Sequence, residues 1–301
     1  MKILEGSEFL RAWHARYPGA ATLAFGYGRI VGERRSSYDL LVDDVAALSQ
    51  VTTAIDLACG DGYLLALLAR RLPSAQLIGI DMAPEELGVA RDRALPERVR
   101  LLAARAEALP LTGASIEAVV CHMALMLFDD ARTVVNELER VIRPGGIFAT
   151  VLGPASGSSE FVARFGALLR EAEATEKLPP LRVGDPATFT EDSLRGLFAN
   201  GTWSDVRVDQ FQLRFDGTDD QIRATLLSMY NVARLSDDGR TELTRRLKAE
   251  MLERRQASET TECVLGLRHL VAVRGDADRK PAGPTLGEGA WYRRITFRDH
   301  E

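Results

Sequence analysis

Along this chain the apolar residues switch repeatedly between short continuous runs and helical three-and-four spacing, the pattern of strands alternating with helices. The run Ala54-Ile55-Asp56-Leu57-Ala58 reads as a buried strand that stops at Gly60-Asp61-Gly62. Leu64 to Leu72 follows as a helix, and Leu77-Ile78-Gly79-Ile80 begins a second strand closed by Asp81. The alternation continues to Phe148-Ala149-Thr150-Val151-Leu152 and predicts parallel strands with helices on both faces. Before it, Ser7 to Tyr17 reads as a short helix stopped by Pro18-Gly19, and Ser36 or Ser37 caps a second helix to about Leu48. Beyond Pro154 the spacing predicts helices from about Ser159 to Lys177 and from Thr190 to near Asn200. A strand over Trp203 to Phe215, two polar-faced helices over 219 to 256 and a last strand over 263 to 274 complete the pattern.

The bend after the first strand holds the strongest chemical signal. Gly60 and Gly62 lack a Cβ, so the backbone there turns sharply and admits a ligand, while the helix from Leu64 presents its N-terminus to the same point. Asp81 ends the second strand where a carboxylate accepts from both hydroxyls of a ribose. A dinucleotide turn wants a third glycine three residues after the second, but Leu65 stands there. No Lys or Arg lies between Asp56 and Ala69, and Asp56 and Asp61 would repel a diphosphate. An acidic bend suits a cation.

The pattern Asp56-x-Ala58-x-Gly60-x-Gly62 resembles the first motif of class I S-adenosylmethionine-dependent methyltransferases. The resemblance extends through Ala104-Arg105-Ala106-Glu107-Ala108-Leu109-Pro110-Leu111, Ser115-Ile116-Glu117-Ala118-Val119-Val120-Cys121-His122 and Glu137-Leu138-Glu139-Arg140-Val141-Ile142-Arg143-Pro144-Gly145-Gly146. That ordered set is similar to the ubiquinone/menaquinone-type, small-molecule branch of the family. It implies S-adenosyl-L-methionine as cofactor, with Asp56, Ala58, Cys59, Gly60, Asp61 and Gly62 forming the bend at its amino-acid end. By the same resemblance Asp81 takes the ribose, Met82 packs on the adenine face, and the loop with Ala106 meets the adenine edge. Two positions depart from the family. Arg105 stands where many relatives place an Asp that accepts from the adenine amine, a part left to Glu107 or a backbone carbonyl because arginine only donates. Ala58 replaces the first glycine of the turn.

The implied fold is an α/β, Rossmann-like, seven-stranded and mostly parallel sheet with an antiparallel last strand. Residues 1–50 would form a helical lid, 51–275 the core with a helical insertion at 216–258 between strands six and seven, and 276–301 a tail that holds Trp291 and Tyr292.

Methyl transfer needs an aligned nucleophile and a dry site, and a hydroxyl or ammonium acceptor must also lose a proton. Among the four histidines, His122 ends a strand at the edge where such sheets place ligands, and it is the candidate to contact the cofactor or to act as base; the alternative is a structural hydrogen bond. His14, on the first helix beside Trp13 and Tyr17, either faces the acceptor or is an ordinary half-exposed residue, the second reading being favoured, and His269 and His300 receive no role. Tyr27, between Gly26 and Gly28, is a candidate to close over the sulfonium or the methionyl carboxylate, and Arg29 to pair with that carboxylate; packing of an N-terminal arm is the competing reading. Met123, Met126, Phe128, Met229 and Tyr230 form either an acceptor wall or plain core. Cys59 and Cys121 flank the pocket as small apolar fillers, without a basic neighbour to lower a thiol pKa.

Composition narrows the rest. The 301 residues are 46% hydrophobic, with no uninterrupted apolar run of membrane-spanning length. Cys59, Cys121 and Cys263 have neither disulfide nor metal spacing. A formal charge of −5 argues against nucleic acid, and the mixed charges of Met1 to Arg16 are unlike a secretory leader. A cytoplasmic enzyme without metal, nucleic acid or membrane partner is expected, acting on a small, specialised-metabolite acceptor; the number of subunits is left open. Two alternatives stand beside methyl transfer: cyclisation of the cofactor's own aminobutyryl chain with release of methylthioadenosine, and non-catalytic binding of S-adenosylmethionine.

Overall fold

In the computed structural model, which describes residues 6–257 and 261–276, all the strands join one eight-stranded sheet. Helices α1 (Gly6–Arg16) and α2 (Ala20–Phe25), a two-residue strand β1 (Arg29–Ile30) and helix α3 (Ser37–Ala46) come first. The alternating stretch supplies β2 (Thr53–Leu57), α4 (Tyr63–Arg71), β3 (Gln76–Asp81), α5 (Pro84–Asp92), β4 (Val99–Ala103), β5 (Ile116–His122), α6 (Ala131–Val141) and β6 (Ile142–Leu152). It is followed by α7 (Glu160–Thr175), α8 (Glu191–Leu197), β7 (Trp203–Phe215), α9 (Asp219–Leu227), α10 (Asp237–Gln256) and β8 (Cys263–Arg274).

Strand order is β1-β7-β8-β6-β5-β2-β3-β4. The central strands pair in parallel, and β8 runs antiparallel to both β6 and β7. Seven of these strands reproduce the expected sheet with its reversed last strand. The eighth, β1, adds to the edge through Arg29↔Arg214 and Ile30↔Leu213; two residues are too few to carry a period, which is why the sequence reads them as lid.

The core lies on both faces of the sheet because strand side chains alternate. In β2, Ala54 packs with Leu41, Leu65 and Leu77 on one face, while Ile55 packs with Leu138, Phe148 and Phe198 on the other. Local signals set the helix ends: Ser36 accepts from the Asp39 amide and Asp39 answers the Ser36 amide, a capping box, and Thr190 with Ser193 forms another. In α6 the buried Val134, Val135, Leu138 and Val141 form one apolar stripe.

Winding departs in opposite directions from β2, towards β3 on one side and β5 on the other. The crevice at the carboxyl ends of these strands is where open α/β sheets bind ligands. Helix α2 packs against α9, and α10 against α7 and α9, so residues before β2 and between β7 and β8 enclose that crevice. Among the described residues no helix is long and apolar enough to cross a membrane. The tail read at 276–301 lies outside the described residues except for Asp276.

Candidate active site

Three residues of the bend have left-handed backbone: Ala58 (φ 57°), Gly60 (φ 52°) and Gly62 (φ 77°). The bend lies close against β3 because Gly79 has no side chain; a Cβ there would sit 2.4 Å from the Leu65 Cδ1 atom and 2.9 Å from the Cys59 sulfur. Ala58 adopts its conformation with a methyl group present, at about 1–2 kcal/mol for an L-residue. Ala58→Gly is therefore expected to leave cofactor affinity intact and to raise unfolding free energy by up to about 1 kcal/mol once the extra entropy of glycine is counted. Urea denaturation checks this, and a loss of stability would show that the methyl contact outweighs the strain.

Asp81 is fixed from two sides. Its Oδ2 accepts from the Gly60 amide (2.8 Å) and its Oδ1 from the Ala83 amide (2.8 Å), which aims the carboxylate while leaving each oxygen a lone pair. Burial pushes its pKa up although both backbone donors oppose the shift. Asp56, 1% exposed, has no partner for Oδ2, and burial together with Asp81 and Asp61 pushes its pKa well above the usual range. The sign follows: the fold favours protonated Asp56, so this contribution is full below the unfolded pKa and is lost as pH rises through the folded one.

Residues of α1, of α2 and of the turn between them reach acids at the same crevice. His14 Nδ1 lies 2.7 Å from Glu86 Oε1, the Gly19 amide donates to Glu86 Oε2 (3.0 Å), and the Thr22 hydroxyl donates to Asp61 Oδ1 (2.7 Å). Arg93 pairs with the other Asp61 oxygen. Glu86, Gly19 and Thr22 have no counterpart among the residues singled out from sequence, and His14 belongs to the cavity wall rather than to an ordinary half-exposed surface. A hint existed for Glu86, two residues after the Pro84 that opens α5; Thr22 gave none.

Apart from Arg93, these groups line one cavity of about 820 Å³. Of the residues predicted for the cofactor, Asp56, Ala58, Cys59, Gly60, Asp61, Asp81, Met82, Ala106 and Glu107 line it. Glu107 accepts from Arg105 (3.0 Å), so the departure at Arg105 is neutralised locally. Gly62 instead stands at the N-terminus of α4, and Cys121 is sealed in the core on the other side of β5. Burial pushes the Cys121 thiol up to about 12 and the Cys59 thiol well above its ordinary value, so neither is a ready thiolate.

Tyr27 and Arg29 require correction, since neither lines the cavity. The Tyr27 hydroxyl donates to the Gln221 carbonyl (3.2 Å) and its ring meets Phe215 edge-on. Arg29 donates to the carbonyls of Gly26 (3.3 Å) and Gly28 (2.8 Å). Pairing of β1 with β7 carries this segment to the sheet edge, and the lid contacts fall to Gly19 and Thr22 instead.

His122 does line the cavity. Its Nε2 lies 2.9 Å from the Ser37 hydroxyl and its ring stacks on Tyr38 with centroids 3.7 Å apart. Burial pushes its pKa down to about 3, which keeps the ring neutral and makes it a weak base. Met123, Met126, Phe128, Met229 and Tyr230 all line the cavity, with Val162, Phe165 and Leu169 beside them. Among the described residues no group of His, Cys, Asp or Glu is arranged to hold a metal.

A doubly wound sheet whose first bend is acidic and glycine-turned, with a carboxylate presented at the end of the next strand, defines a Rossmann-like nucleoside-binding protein. Residues 55–150 match the family model described as a methyltransferase domain. The chain is 30% identical over 168 residues to the ubiquinone/menaquinone biosynthesis C-methyltransferase of Desulfotalea psychrophila, covering 53% of this chain and 68% of that protein. It is 34% identical over 122 residues to the demethylmenaquinone methyltransferase of Thermus thermophilus, covering 40% of this chain and 53% of that protein. The chain thus spans about half the length of the first curated relatives it matches. Haemonchus contortus phosphoethanolamine N-methyltransferase 2, solved with phosphomonomethylethanolamine and S-adenosylhomocysteine, shares the fold at a TM-score of 0.57 and 14% identity, covering 91% of this chain and 61% of that one. The chain belongs to the class I S-adenosylmethionine-dependent methyltransferases.

Proposed function

We propose that this protein transfers a methyl group from S-adenosylmethionine to a small, bulky and largely apolar acceptor. The observation that carries the reading is the continuity of one cavity: acids crowd its floor at the ends of β2 and β3, and Met126, Phe128, Phe165 and Met229 form its wall. At about 820 Å³ it falls in the range of small-molecule sites.

The residues present fit the cofactor. Asp61, paired with Arg93, brings an acid to the bend, and Asp81 is held by two amides in position for paired hydroxyls. Met82 and Ala106 supply apolar surface for a base. When bound, the sulfonium supplies a methyl carbon that is already electrophilic. The chain's own part is then to orient and to exclude water: α1 and α2 cover the acids, and the apolar wall holds the acceptor against the bend. His122, neutral and anchored to Ser37, acts as a positioning residue rather than as the base. Relatives named for methylation of demethylmenaquinone and for menaquinone biosynthesis support an acceptor of low molecular mass.

The test identifies the nucleoside product after incubation with S-adenosylmethionine alone and with apolar phenols and acids as acceptors. S-adenosylhomocysteine formed only with an acceptor is the expected result. Methylthioadenosine formed without one would replace methyl transfer by cyclisation, and binding without turnover of any acceptor would leave a sensor.

A further inference from the structure

The geometry points to a second subsite, at Arg268, that takes an acidic group carried by the acceptor. The inference rests on the methyl-transfer reading and deepens it: the acceptor becomes an apolar molecule bearing a carboxylate or phosphate. Arg268 lies in β8 and is 2% exposed. Its Nη2 donates to the carbonyls of Pro154 (3.1 Å) and Thr188 (2.9 Å), both uncharged, while its Nε and Nη1 are buried without a partner. A guanidinium keeps its charge in a protein, and a buried charge without a counter-ion is unfavourable. Arg254, the other buried arginine among the described residues, is held by Glu250 and Glu160.

The surroundings of Arg268 are those of a small polar hollow. Gln210 faces it directly across β7 and β8, and the Ser156 hydroxyl donates to the Gln210 side-chain carbonyl (2.6 Å). Together with Glu191 these residues line a hollow of about 320 Å³. Glu191 makes no ion pair with Arg268: its Oε1 accepts from Arg195 and its Oε2 from the Gln210 amide (3.4 Å). Its charge compensates Arg268 only at longer range.

Pro154 and Phe189 line both this hollow and the main cavity. In β8, Leu267 packs on the main-cavity side of the sheet, and alternation turns Arg268 to the other side. An acceptor whose apolar body fills the main cavity therefore reaches Arg268 by passing Pro154 and Phe189. Because Nε and Nη1 are covered, the acid arrives with a side-chain movement, and Phe189, 52% exposed, lines both spaces beside that path.

The test uses the full chain, with and without saturating S-adenosylhomocysteine, and titrates dodecanoate, methyl dodecanoate and inorganic phosphate by calorimetry. Dodecanoate is expected to bind at least tenfold more tightly than its ester in the wild type. Arg268→Gln, which keeps an amide donor for the two carbonyls, is expected to abolish that preference without altering affinity for S-adenosylhomocysteine. Equal binding of acid and ester by the wild type would overturn the subsite and needs no variant. A preference that survives Arg268→Gln would overturn the role of the arginine. Phosphate raising the wild-type melting temperature but not that of the variant, with no preference for acid over ester, would make this a free-anion site and overturn its assignment to the acceptor. Failure of S-adenosylhomocysteine to bind would strike the methyl-transfer reading, while the acid–ester comparison without cofactor still decides the subsite.

Discussion

Asp81→Ala is expected to weaken S-adenosylhomocysteine binding by a hundredfold or more in calorimetric titration. Two backbone amides hold the two carboxylate oxygens in place, so the group meets a pair of ribose hydroxyls without further ordering. Hydrogen bonds to a charged partner contribute about 1.5–3 kcal/mol each, and losing two corresponds to roughly 10²- to 10⁴-fold in affinity. The alanine variant also strands the Gly60 and Ala83 amides, so some stability is lost, although Asp56 is relieved of a repelling neighbour. Asp81→Asn halves both effects, because its oxygen still accepts from one backbone amide while its NH2 leaves the other without an acceptor. It keeps the shape and one acceptor oxygen but not the charge, and a loss of about tenfold is expected from a single weakened bond. Undiminished affinity in the alanine variant would place the ribose elsewhere.

Acid is expected to destabilise the protein through His122. The folded pKa is pushed down to about 3 from an ordinary 6.5, so between those values the unfolded chain takes up a proton that the fold refuses. Stability from this group is full above pH 6.5 and is lost as pH falls towards 3, on the order of a few kcal/mol over the whole window. Urea denaturation across that range should show the slope, and His122→Gln should flatten it while an amide preserves a partner for Ser37. The same ring should show no titration between pH 5 and 8 in nuclear magnetic resonance spectra, and methyl transfer should show no His122 limb there. An imidazole titrating near 6.5 would restore His122 as the candidate base.

Much of the fold was legible because β2, β3, β5 and β6 carry apolar runs, with amphipathic helices and the glycine turn after β2 marking the alternation. The positions of Asp56, Gly60 and Asp81 at one crevice were legible for a different reason: they follow from a local bend and a strand end. The lid was not. Residues 20–25 form a helix of six residues after Gly19, and Arg29–Ile30 a strand of two, both too short for periodicity to reveal. The contacts that place the lid join Thr22 to Asp61 across 39 positions and Gly19 to Glu86 across 67, and no spacing rule reaches that far. Tyr27 and Arg29 attracted attention through flanking glycines and chemistry, but sheet pairing at Arg29 decides where that segment goes. Arg268 gave no sequence signal at all, since its significance lies in the absence of an ion-paired carboxylate on its buried nitrogens.

Titration of the full chain with S-adenosylhomocysteine tests the cofactor seat at the β2 bend most directly. One saturable site per chain, competed by S-adenosylmethionine and crippled by Asp81→Ala, is the expected result. No detectable binding of either compound, or equal binding by the alanine variant, would contradict it.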